Sequence, residues 1–129
     1  MQIMSEYDAN YSAASLDEAY LDLTDHLKQR IDSSVESRTF LLSSSDEDLN
    51  EKKIIFGTDI EDCVKEIRHR IYLKTKLTAS AGIACNLRLA KLCSGKLLIF
   101  KNRIRPEIES YNSKIMVFVS IRDLILLIY

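Results

Sequence analysis

The chain has 129 residues, of which 47% are hydrophobic and 29% charged, with a formal net charge of −1. That length supports one domain with a real core and is too short for two. The near-balanced charge excludes a global positive field that would recruit nucleic acid or membrane, so any nucleic-acid contact must come from a local basic patch.

Other bounds follow from residue usage. Cys63, Cys85 and Cys93 include no Cys-x-x-Cys pair, which argues against a disulfide framework or a zinc site and predicts a reducing compartment. His26 and His69 have no metal-ligand spacing. No basic start followed by an apolar run opens the chain, and its most apolar segment, Lys114 to Tyr129, holds Arg122 and Asp123 and is too short to span a bilayer. The expectation is a soluble, intracellular protein. Only three Gly and one Pro suggest a piece of something larger.

Ile3, Met4 and Tyr7 stand at helical spacing, so the first residues read as the last turns of a helix. Asp8-Ala9-Asn10 is the turn that ends it. Tyr11 to Leu16 and Ala19 to Leu23 read as the arms of a β-hairpin, with Asp17 and Glu18 at the bend. Neighbours within a strand point to opposite faces, but at a tight bend two carboxylates can converge into an oxygen site for a hard cation. A solvated hairpin tip is the plainer alternative. Leu27 to Lys53 carries Ser33-Ser34, Ser43-Ser44-Ser45 and Asp46-Glu47-Asp48 among few apolar residues, and reads as a flexible insertion with a short helix over Leu27 to Val35.

A short strand over Lys53 to Phe56 ends at Gly57. Thr58 and Glu61 form a capping box, and Ile60, Val64, Ile67 and Ile71 make one apolar stripe. This predicts a helix over about Asp59 to Lys74, whose opposite face carries Lys65, Arg68, Arg70 and Lys74. Thr78 to Ala84 is a strand of small and β-branched residues with Gly82 at a close backbone approach. Asn86 caps a short helix over Leu87 to Cys93 that carries Lys91, and a strand running into a helix N-terminus can present amides to phosphate. Lys96 to Phe100 and Ile115 to Ile121 have strand character, Arg105-Pro106-Glu107 breaks the path between them, and Leu124 to Tyr129 is almost wholly apolar.

Three stretches carry a resemblance to the palm of the Y-family DNA polymerases, and within it to the kappa-type branch. Ser15-Leu16-Asp17-Glu18-Ala19-Tyr20-Leu21-Asp22 is similar to the family's second carboxylate motif. Phe56-Gly57-Thr58 through Val64-Lys65-Glu66-Ile67-Arg68 resembles the helix after the kappa-type insertion. Leu77 to Ala84, then Asn86 and Leu89-Ala90-Lys91, resembles the signature strand and helix. The implied fold is α/β (α+β), a partial ferredoxin-like antiparallel sheet with helices packed on one face. The implied layout is a metal-binding palm part over 1–27, a polar insertion over 28–53, a second palm part over 54–94 and a divergent tail over 95–129.

The resemblance also implies roles. Asp17 and Glu18 would bind the catalytic Mg2+ ions, and Lys91 would contact the nucleotide triphosphate. Ser15 and Tyr20 would shape the hairpin, and Ser80 and Gly82 would serve packing. It implies translesion synthesis in DNA repair on primer-template DNA with deoxynucleoside triphosphates, in the nucleus, with replication-clamp association only in a full-length protein. The family's first carboxylate motif, an Asp-x-Asp followed by aromatics, has no counterpart here, nor have the fingers, thumb and little-finger domains, so this chain alone is expected to be inactive. A rival expectation is a non-catalytic fragment that binds DNA or a partner through Arg68 and Arg70. Diguanylate cyclases also carry Asp-Glu on a hairpin, but they need Gly-Gly where Ser15-Leu16 stands.

Overall fold

The apolar stripe of Ile60, Val64, Ile67 and Ile71 forms helix α3, Ile60–Thr75, and turns Val64, Ile67 and Ile71 into the core. In a computed structural model that describes residues 2–42, 52–94 and 114–122, it is the longest helix. Its cap differs from the expected box by one residue. Asp59, not Thr58, is the N-cap and accepts from Asp62 N at 2.8 Å. Asp62 then reaches back to accept from Gly57 N at 2.9 Å. Both Thr58 and Asp59 are competent caps. Gly57 leaves room for this reach, since a Cβ there would lie 2.6 Å from Asp62 Oδ2. At the other end Lys76 adopts a left-handed conformation with φ 62° and donates to Tyr72 O.

The expected helix at the start is α1, Gln2–Tyr7. Asp8 ends it through a side-chain turn, accepting from Asn10 N at 2.8 Å, and also accepts from Asp22 N at 2.9 Å. The hairpin follows as β1, Ser12–Ala13, and β2, Glu18–Asp22, paired antiparallel. Its turn occupies 14–17, so Asp17 lies in the bend and Glu18 opens the second strand. Helix α2, Thr24–Ile31, begins earlier than expected. Residues 28–42 of the expected insertion carry the end of α2, a 3-10 turn at Glu36–Arg38 and strand β3, Thr39–Leu41. Strand β4, Lys53–Ile55, pairs antiparallel with β3 in a small separate sheet.

Strand β5, Thr78–Ala84, matches its expected bounds, and α4 runs over Leu87–Ser94 with Asn86 accepting from Leu89 N at 3.0 Å. Strand β6, Met116–Arg122, corresponds to the expected strand at 115–121. The expected strand at 96–100, the break at 105–107 and the apolar end at 124–129 lie outside the described residues.

The main sheet is fully antiparallel with strand order β1-β2-β6-β5. The expected α/β fold, a partial palm with helices packed against an antiparallel sheet, is therefore present, but the helices are not confined to one face as expected. Strand alternation divides its side chains between two faces. Ala19, Leu21, Val117, Val119, Ala79 and Ile83 face α1 and α3, and with Met4, Tyr7, Cys63, Ile67 and Ile71 they form the main core. Helix α4 takes the opposite face, where Ala90 packs with Ala84 and Phe118. Full burial of a side chain such as Leu21 or Val119 is worth about 1.5–3 kcal/mol, so β6 contributes heavily to holding β2 and β5 in one sheet.

Candidate active site

Glu18 lies on the face of the sheet that α4 occupies, and the register defines its neighbours. Glu18, Tyr20 and Asp22 of β2 stand opposite Ser120, Phe118 and Met116 of β6. Ser80, Gly82 and Ala84 of β5 continue the same rows. The row containing Glu18 is therefore Glu18, Ser120, Ser80. Ser120 is buried, and Ser80 Oγ is buried with no hydrogen-bond partner among the described residues.

The bend holds Asp17 beside this row. Ala14 N and Ser15 N both donate to Glu18 O, at 2.9 and 3.3 Å, which closes the turn. Ile121 N donates to Asp17 O at 2.8 Å and ties the bend to β6. Ser15 Oγ donates to Asp17 Oδ1 at 2.6 Å and orients that exposed carboxylate. Leu16, at the tip, is 99% exposed.

Lys91 arrives from α4. Its Nζ donates to Glu18 Oε2 at 3.1 Å and lies 5.3 Å from the centroid of the Phe118 ring. Phe118 in turn rests on Tyr20, with centroids 4.9 Å apart. The Glu18 carboxylate holds the Lys91 ammonium above the usual lysine value. Gly82 permits this approach, because a Cβ there would collide with Ala90 O and lie 2.5 Å from Ser94 N. Glu18 and Lys91, distant in sequence, thus meet directly.

Arg68 and Arg70 are engaged elsewhere. Arg68 Nε donates to Ala79 O at 2.7 Å. Arg70 pairs with Glu6, donates to Tyr7 Oη at 3.1 Å and lies over the rings of Tyr7 and Phe40. On the same helix Lys65 bonds Asp62 at 2.8 Å and Lys74 donates to Gln2 Oε1 at 3.2 Å. Each basic residue that the sequence offered on α3 has an internal partner.

The sequence reading missed a buried polar cluster. Arg30 and Glu66 meet at 2.5 Å, Tyr7 donates to the other Glu66 oxygen at 2.5 Å, and Arg30 Nε donates to Gly57 O at 2.9 Å. Burial first, then the bond to Glu66, raises the Tyr7 phenol well above its ordinary value. Burial also pushes the Cys63 thiol up to about 12, which leaves it unreactive. One signal was present in the sequence, since Glu66 stands three residues after Cys63 and directly before Ile67, on the buried side of α3.

As for a metal, Asp17 and Glu18 are hard oxygen donors next to solvent. That suits a divalent ion which keeps several of its own waters. Among the described residues no group of three His, Cys, Asp or Glu side chains that could hold a metal ion converges, so an ion here would have to rest on these two carboxylates and its own waters. No helix among the described residues is long and apolar enough to cross a membrane.

An antiparallel sheet of this kind, with helices packed against it, is consistent with a partial polymerase palm, and comparison with known proteins agrees. The profile of the impB/mucB/samB family matches residues 1–95, and the chain belongs to that family. The Y-family resemblance read from the sequence, including its kappa-type character, is thereby borne out. The chain is 33% identical to DNA polymerase kappa of Mus musculus over 172 aligned positions, covering 95% of this chain and 20% of that protein. It is 35% identical to DNA polymerase kappa of Homo sapiens, over 74% of this chain and 17% of that protein. DNA polymerase IV of Alkalilimnicola ehrlichii is 33% identical over 71% of this chain and 18% of its own length. The chain spans about a fifth of the length of the curated relatives it matches. The family match ends at residue 95, yet β6 beyond it lies between β2 and β5.

Proposed function

We propose that this chain carries palm elements of a translesion DNA-directed DNA polymerase, with Asp17 and Glu18 holding divalent cations and Lys91 facing the triphosphate. The observation that carries the reading is the meeting of Glu18 and Lys91 at 3.1 Å, which brings a cation ligand and a phosphate ligand to one face. Asp17 and Glu18 would hold magnesium, which would supply stabilisation of the attacking and leaving oxygens of an in-line displacement. The residues of this chain do the placing. Ser15 orients Asp17, the β2–β6 register presents Glu18, and the packing of α4 over Gly82 delivers Lys91. The ammonium of Lys91 offsets charge on the leaving pyrophosphate. In the whole protein the substrates are primer-template DNA and deoxynucleoside triphosphates, the setting is nuclear, and any replication-clamp contact belongs to parts outside this chain.

The 129-residue chain alone is expected not to extend a primer, because no counterpart of the first carboxylate motif accompanies Asp17 and Glu18. Two measurements on the purified chain test the reading. Mn2+ binding followed by electron paramagnetic resonance is expected, weak in the wild type and lost in Glu18→Gln and Asp17→Asn; binding indifferent to both substitutions overturns the site. Primer extension with Mg2+ and four triphosphates is expected to be absent, and extension abolished by Asp17→Ala would overturn the inactivity. The rival DNA-binding role would leave Arg68 its bond from Nε to Ala79 O and use the rest of its guanidinium, whereas Arg70 would have to exchange its bonds to Tyr7 and Glu6 for phosphate. Salt-dependent DNA binding weakened by replacing both with Ala would favour it.

A further inference from the structure

We infer that Lys91 is a resident counter-ion of Glu18, which a divalent cation must displace before it can bind. The inference rests on the reading that Glu18 holds such a cation. Across the β2–β6 pair Glu18 faces Ser120, and beyond that Ser80, both neutral. Lys91 Nζ, 3.1 Å from Oε2, supplies the cation nearest its carboxylate among the described residues. The lysine is not left to find this position by chance. Its helix is seated on β5 by Gly82, and Nζ lies over Phe118, a buried ring braced by Tyr20.

A divalent ion on the same carboxylate would stand within a few ångströms of the ammonium, where like charges repel strongly. Cation binding therefore drives Lys91 off Glu18. The released side chain, 52% exposed even while paired, is then free to meet an anionic ligand arriving with the metal. One contact thereby suppresses idle cation binding and couples the cation to a polyphosphate.

The test is Mn2+ affinity of the 129-residue chain, by calorimetry and electron paramagnetic resonance, with folding checked by circular dichroism. Lys91→Met is expected to tighten Mn2+ binding about two- to fivefold, the range of an exposed ion pair, and Lys91→Arg to restore wild-type affinity. Lys65→Met removes the same charge from a lysine paired with Asp62 and is expected to change nothing. An equal gain in Lys65→Met reduces the effect to net charge and overturns the inference. A Glu18-dependent site whose affinity Lys91→Met leaves unchanged or weakens also overturns it, while keeping the cation reading. Absence of Glu18-dependent binding in every variant overturns both.

Discussion

Arg30 and Glu66 have side chains only 3% and 4% exposed, so each charge has lost its water and depends on the other. Both Glu66 oxygens are bonded, one to Arg30 and one to Tyr7, while Arg30 also bonds Gly57 O. The cluster thereby joins α1, α2 and α3 on the side of the sheet away from Glu18. Removing one partner strands the other charge without compensation, at about 3–5 kcal/mol. Glu66→Ala is accordingly expected to lower Tm by on the order of 10 °C or more in thermal unfolding. The double variant Arg30→Met/Glu66→Leu is expected to recover part of that loss, because no unpaired charge remains although the Tyr7 hydroxyl and Gly57 O each lose a partner. A single-variant loss below about 1 kcal/mol, the level of an exposed pair, would show that water reaches the cluster.

At the scale of elements, the contact of α4 with β5 connects packing to the candidate site. Gly82 has α4 backbone where any side chain would go, with Ala90 O and Ser94 N in the path of a Cβ. Backbone yields less readily than a flexible side chain, so Gly82→Ala is expected to lift α4, at about 1–3 kcal/mol. The shift also takes Lys91 away from Glu18. The variant should therefore melt earlier and also lose the difference in Mn2+ affinity between Lys91 and Met at position 91. The sequence made part of this legible. Thr78 to Ala84 showed small residues in strand register, Asn86 stood as a cap, and the α3 stripe followed from spacing alone. Asp17, Glu18 and Lys91 stood out as candidates because the stretches that carry them resemble a family motif, and of these the structure brings Glu18 and Lys91 together. What stayed hidden depended on pairings between distant residues. Arg30 and Glu66 are 36 positions apart, and Lys91 meets Glu18 across 73. Asp59 rather than Thr58 caps α3, with Asp62 reaching back to Gly57 N, an arrangement that capping preferences do not encode.

For the whole molecule the consequential fact is that β6 closes the sheet. Without it β2 and β5 share no ladder, and the hairpin with Asp17 and Glu18 would have no fixed relation to α4 and Lys91. Its place could not be read from pattern, since a strand near residue 119 had to find partners near 19 and 81 and its apolar run fits many registers. That register puts Ser120 directly opposite Glu18, and opposed side chains in an antiparallel pair have Cβ atoms about 4.5–5.5 Å apart. A carboxylate at 120 would therefore share a cation with Glu18. Ser120→Asp is expected to tighten Mn2+ binding about tenfold or more, as a third carboxylate facing Glu18 joins the Asp17–Glu18 pair. The same substitution buries a second negative charge, so without metal the variant should melt below the wild type. Mn2+ should then raise its Tm steeply with concentration, because a ligand that binds only the folded state stabilises it by mass action. A Tm lowered equally with and without Mn2+ would mean that the β2–β6 register does not bring position 120 to a cation held at Glu18.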